Sequence, residues 1–284
     1  MSTQLLFYQQ AEPVSAEKHR KWSLDTDSTF SFASKVNSVP ITAVEFPRAA
    51  LEYPLVFAGT ADQMMPAVVL GIDDNKNLYV DSAGRWTGRY VPAFVRRYPF
   101  VFSATDGNRF TLCIDGGFKG WNQDGRGQRL FDDAGERTEY LENILKFLQQ
   151  YQVEFQRTQS FCRKLDSFDL LEPVQARFTT PGGQRRSLSG FMAISREKLK
   201  NLAPKTLADL AATDELELAY LHLQSLNHFE ALLAQASRRG TTAAATAGKE
   251  ARPAAKSPPA AAAGKSATPA ARAKKKAGKR PAQK

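Results

Sequence analysis

The sequence is short of the residues that usually announce chemistry. Its 284 positions hold two cysteines and three histidines. Cys113 and Cys162 cannot build a disulfide framework and show no CxxC spacing. Each sits among apolar neighbours, in Thr-Leu-Cys-Ile-Asp and Ser-Phe-Cys-Arg-Lys-Leu, the setting of a buried free thiol in a reducing, intracellular environment. His19 has no second histidine or cysteine near it and reads as a solvated surface residue. His222 and His228 lie six apart on one predicted helix, a rotation of about 600° that sets them on different faces and disfavours a shared metal. No apolar run approaches the roughly 18 residues of a membrane span, and the N-terminus lacks the basic region and long apolar core of a secretory signal. The chain is therefore expected to be soluble and cytoplasmic, with export by a route that needs no N-terminal signal left open. The glycine-rich loop 116–135 spells neither GxGxxG nor the Walker pattern. The Asp/Asn-rich turns at 73–77 and 122–127 place Leu78 and Arg126 where a calcium loop needs Gly and a ligand. No cofactor and no metal is expected.

Charge is present, but unevenly. The formal net charge is +10. From position 241 onward there are eleven Lys or Arg and one acid, Glu250, so this segment carries the whole excess; taking them from the totals of 39 and 29 leaves 28 basic and 28 acidic residues in 1–240. The Ala/Lys/Pro-rich end has no aromatic and no branched apolar side chain, and cannot bury enough surface to fold. Residues 1–236 are expected to be a globular domain and 237–284 a disordered basic tail. Its Arg272, Lys274, Lys275, Lys276, Lys279 and Arg280 form a linker-histone-like cluster. Such a cluster binds nucleic acid or an anionic surface by counterion release, or serves only as a solubilising appendage.

Patterning of the globular part predicts α+β: a β-rich N-terminal half with an antiparallel or mixed sheet, then a helical half with one inserted hairpin. Short strands are expected at 5–8 and 55–57, with a helical turn capped by Ser15 and another begun by Pro47. Runs 67–72 and 77–81 around Asp73-Asp74-Asn75-Lys76 read as a hairpin. Another strand pair spans 100–103 and 110–115. From Thr138 an apolar stripe (Tyr140, Ile144, Phe147, Leu148, Tyr151, Phe155, Cys162, Leu165) holds helical period for about thirty residues. Runs 174–180 and 187–194 form the inserted hairpin. Helices follow from Ser195, from Pro204, and from Asp214 to about Gln235.

The candidate binding stretch is 84–102, where four arginines are set among aromatics and two prolines. Pro92 is expected at the first position of a short helix ending before Pro99, with Tyr90, Phe94 and Tyr98 on one side. Trp86, Arg89, Tyr90, Arg96, Arg97 and Tyr98 are the candidate ligand or partner contacts. Adjacent arginines beside aromatics can clamp a phosphate or carboxylate; they can equally be a surface pair matched with nearby acids. Glu45, Asp115 and Asp124 are the carboxylates that would join them if the stretch were an enzyme pocket.

Several segments resemble one bacterial family: Val39-Pro-Ile-Thr-Ala-Val-Glu-Phe, Tyr53-Pro-Leu-Val-Phe-Ala-Gly, Gly84-Arg-Trp with Tyr90-Val-Pro-Ala-Phe-Val-Arg-Arg-Tyr-Pro-Phe, Leu112-Cys-Ile-Asp, and Leu218-Ala-Tyr-Leu-His-Leu-Gln-Ser-Leu. In order, over about residues 3–234, they are similar to the SapC family. The resemblance implies an accessory protein associated with the bacterial surface layer or with outer-membrane receptor systems, and brings no catalytic residue set. The leading expectation is a non-enzymatic protein that binds a protein or peptide partner. The alternatives are a nucleic-acid-associated protein acting through its tail and an enzyme with a pocket near Arg96 and Arg97.

Overall fold

The longest element starts where the sequence places a cap. The Thr138 side chain accepts from the Leu141 N–H at 3.4 Å, Glu139 and Glu142 fill the first turn, and the helix runs Glu139–Ser167. The computed structural model describes residues 6–25, 29–60, 63–105, 109–179 and 185–238. Before the long helix come β1 (Ala11–Pro13), α1 (Ala16–His19), β2 (Ser23–Leu24), β3 (Ser38–Pro40), α2 (Phe46–Ala49), β4 (Leu55–Ala58), β5 (Met65–Val69), α3 (Ala93–Arg96), β6 (Phe100–Thr105), β7 (Arg109–Asp115), β8 (Trp121–Asn122) and β9 (Gln128–Arg129). The long helix is α4. It is followed by β10 (Leu171–Thr179), β11 (Arg185–Ile194), α5 (Arg196–Lys200), α6 (Pro204–Ala212), α7 (Glu215–Ser225) and a helical run over 228–238. The fold is α+β, with the described strand pairs all antiparallel.

The strands make three sheets, ordered β10-β11-β4-β5-β3, β1-β7-β6 and β8-β2-β9. In the first, β5 lies inside the edge strand β3 and pairs Val68 with Leu55 of β4 on one side and with Val39 of β3 on the other. All five β5 residues are buried, the pattern of a strand covered on both faces. The second sheet is a β6–β7 hairpin extended by β1, in which Pro13 stands opposite Cys113.

Helix α4 spans two apolar clusters. Leu141 and Leu148 pack with Leu24, Phe100, Ile114, Leu130 and Phe131. Further along, Tyr151, Phe161, Cys162 and Leu165 join the larger cluster around Phe46, Tyr53, Phe57 and Phe94. The buried stripe reads Leu141, Leu148, Tyr151, Thr158, Phe161, Cys162 and Leu165. Leu148, Tyr151, Cys162 and Leu165 are as expected; Tyr140, Ile144, Phe147 and Phe155 are partly buried against the clusters, and Leu141, Thr158 and Phe161 join the buried face.

Five local expectations are corrected. Within residues 6–8 there is no strand, and the first strand is β1. Residues 77–81 do not form a hairpin strand, because β5 is already paired on both edges by β3 and β4; the Leu78 N–H donates to the Leu70 carbonyl, and Val80 forms an isolated bridge with Trp86. Pro92 is the N-cap of α3 rather than its first helical residue. The helix expected from Asp214 to Gln235 breaks at 226–227. His19 is fully buried between Glu12 and Trp22, not solvated: it is the charged neighbours Glu17, Lys18 and Arg20 that face out from α1. The turns around 106–108 and 180–184 and the tail beyond residue 238 lie outside the described residues. Both cysteines are buried and free, and burial raises both thiol pKa values, Cys162 to about 12.

Candidate functional site

Two adjacent arginines leave the short helix α3 in opposite senses. One residue of helix is a rotation of about 100°, and here that step crosses the protein surface. Arg96 is exposed; its Nε–H donates to the Val91 carbonyl at 3.0 Å, and its guanidinium lies 5.3 Å from the Phe147 ring and 5.9 Å from the Tyr90 ring. Arg97 is only 3 % exposed, with its guanidinium 4.2 Å from the Phe94 ring and 5.0 Å from Tyr151. The pair therefore does not meet at one ligand. Burying a guanidinium is costly unless it is compensated, and cation–π contact supplies part of that compensation.

Tyrosines and two buried carboxylates surround this part of the core. Tyr8 neighbours Arg97; burial pushes its hydroxyl pKa up and the Arg97 charge opposes the rise. The Tyr8 hydroxyl donates to the Phe100 carbonyl at 2.6 Å. Tyr98 donates to Asp115 at 2.9 Å and stacks on Phe32 at 4.1 Å. Asp115 is fully buried and also accepts from the backbone N–H groups of Gln9 (3.1 Å), Gln10 (3.0 Å) and Gly117 (3.1 Å). This one carboxylate ties the N-terminal segment, the cis-Pro99 turn and the start of the glycine loop together.

Glu45 does the same on the other side. One carboxylate oxygen accepts from the Thr42 N–H (2.7 Å) and hydroxyl (2.9 Å), completing a capping box; the other accepts from the Tyr90 hydroxyl (2.7 Å) and the Ala93 N–H (2.7 Å). Burial and the Glu45 charge hold the Tyr90 hydroxyl protonated far above neutral pH. The Thr42-x-x-Glu45 spacing is a capping signature legible in the sequence; the second pair of donors, nearly fifty residues away, is not.

Of the other candidates, Trp86 is half-buried. Its Nε1–H donates to the Tyr53 hydroxyl and the Tyr90 carbonyl, both at 3.1 Å. Arg89 is exposed, and its backbone N–H is held by the Glu52 carboxylate at 2.8 and 3.0 Å. Trp86, Arg89, Tyr90 and Arg96 thus share an outer ridge, while Arg97 and Tyr98 belong to the interior network. Asp124 joins neither; it is an exposed partner of Arg126. Sequence reasoning missed Tyr8 and Glu52 as members of this cluster. It also missed His222, fully buried, whose Nε2 accepts the Ile194 N–H at 3.1 Å; nothing in the local sequence marks these long-range partners.

Among the described residues no group of three or more His, Cys, Asp or Glu is placed to hold a metal ion, and no helix is long and apolar enough to cross a membrane. Fold and site together define an α+β protein whose central ionisable groups are tied into its own architecture beneath a solvent-facing arginine–aromatic ridge. The chain belongs to the SapC family, whose model matches residues 14–232. No curated protein and no solved structure gives a significant match.

Proposed function

We propose that this chain is a non-enzymatic accessory protein that binds a protein or peptide partner through the ridge of Trp86, Arg89, Tyr90 and Arg96, in the setting of the bacterial surface layer or outer-membrane receptor systems. The observation that carries the reading is the disposition of charge in 84–102. The carboxylates Glu45 and Asp115 each accept four hydrogen bonds from within the chain. What the stretch offers outward is arginine beside aromatic rings, the composition that dominates binding energy at protein interfaces. The test is affinity capture by the full chain from lysate of its native cell, with partners identified by mass spectrometry. One partner is expected at near-stoichiometric yield, reduced about tenfold by Arg89→Ala with Arg96→Ala. Recovery at background level by the unaltered chain removes the reading.

A second reading follows from the +10 charge carried entirely by residues 241–284: the tail binds nucleic acid without sequence preference, through Arg272, Lys274, Lys275, Lys276, Lys279 and Arg280. A salt titration of duplex DNA binding checks it. The full chain should show a steep fall of log K with log salt, and a chain ending at Arg239 should not bind; equal binding by the two would dismiss the tail.

A further inference from the structure

The geometry points to a second binding surface, a cleft that takes an extended, basic and apolar peptide by adding it as a strand beside β7. It shares with the proposed function only the premise that the chain binds a partner, and none of its residues belong to the ridge.

The edge of β7 is only half covered. β1 pairs with Cys113, Ile114 and Asp115, and the last bond on that side runs from the Val14 N–H to the Leu112 carbonyl at 2.9 Å. Ser15 then caps α1 and the chain leaves the sheet. Backbone groups in an antiparallel strand alternate sides. The Leu112 carbonyl faces β1, so the Phe110 N–H and carbonyl face the same way. Among the described residues no strand lies opposite Phe110 there. β6 holds the other edge in register, with Ser103 opposite Thr111 and Ala104 opposite Phe110.

At this open edge lies a cleft of about 680 Å³, lined by Val14–Ala16, Phe110–Leu112, Phe131, Gly135–Arg137, Leu141, Glu142 and Leu145. Its floor combines Leu112, Phe131, Leu141 and Leu145, which suits one branched apolar side chain of an incoming strand. Of its lining residues Glu136 and Glu142 are acidic and Arg137 is basic, which leaves one negative charge in excess, and the segment that supplies them is acidic. Residues 132–142 contain Asp132, Asp133, Glu136, Glu139 and Glu142 against Arg137 alone. Arg137 is engaged by Glu142 at 3.3 Å, and Asp133 by Arg129 at 2.8 Å from the neighbouring β9. Glu136 faces the cleft as its excess charge. Exposed backbone edge and side-chain pocket are the two parts of strand-addition recognition, and the excess negative charge favours a basic occupant. The basic tail of this chain supplies the charge but no branched apolar anchor, so the occupant is a segment of another protein with an apolar residue flanked by Lys or Arg.

The test titrates the isotope-labelled full chain with the capped peptide Lys-Val-Lys-Val-Lys-Val-Lys and follows backbone amide exchange. The Phe110 amide should be protected about tenfold or more at saturation, while the Thr111 amide, directed at β6, stays unchanged. Phe110→Pro removes the donor at an edge where proline is tolerated, and should abolish binding where Phe110→Ala only weakens it. Leu145→Glu, a half-buried position on α4, should abolish it independently. The assignment is overturned by unchanged Phe110 exchange, by equal protection with Glu-Val-Glu-Val-Glu-Val-Glu, or by protection that depends on protein concentration alone, which would assign the edge to a second copy.

Discussion

His222 is a fully buried base with one hydrogen bond, from the Ile194 N–H to Nε2, and its ring centroid lies 5.0 Å from that of Phe57. Accepting at Nε2 requires the neutral ring with its proton on Nδ1. Burial lowers its pKa from 6.5 to about 3. In the unfolded chain the ring titrates near its ordinary value, so between these limits the unfolded state binds one more proton than the folded state. Stability must then fall as pH falls through that window, by up to about 1.4 kcal/mol per pH unit from this residue. His222→Gln keeps an acceptor for Ile194 and should flatten the slope by that single proton. Urea unfolding of both proteins at pH about 7 and about 4.5 measures the difference; identical slopes would mean the ring does not titrate on unfolding. Glu45 shows the same economy with a charge: Thr42, three residues away, could be anticipated as its partner, while Tyr90 and Ala93 are brought by the tertiary fold.

At the scale of elements, α4 is what makes the two apolar clusters one structure. Its first turns pack with Phe100, Ile114 and Phe131, and its later turns with Phe46, Phe57 and Phe94. Leu148 sits near the changeover and is almost completely buried. Leu148→Ala should cost about 2–5 kcal/mol. In amide exchange under mild denaturant, β4 in the larger cluster and β7 beside the smaller one should lose protection together; separate losses would show that the helix does not couple them. The helix was legible because twenty-nine residues of period 3.6 and a threonine cap repeat one message many times. The missing strand at 77–81 was not legible. Its apolar run Leu78-Tyr79-Val80 is real, but whether a run pairs depends on an open neighbour, and β3 and β4 occupy both edges of β5.

At the scale of the whole molecule, covalent order alone determined the α+β class, the long helix, the inserted hairpin, the family and the confinement of the +10 charge to the last segment, because composition and periodicity act between near neighbours. The tertiary structure decided which of two adjacent arginines enters the core, where a second pair of donors for Glu45 comes from, that His19 and His222 are buried, and that β1 stops short of Phe110. Each of these depends on residues tens of positions apart meeting only when loops close and apolar area is buried together. A local window of sequence carries the side chains for such meetings but not their partners.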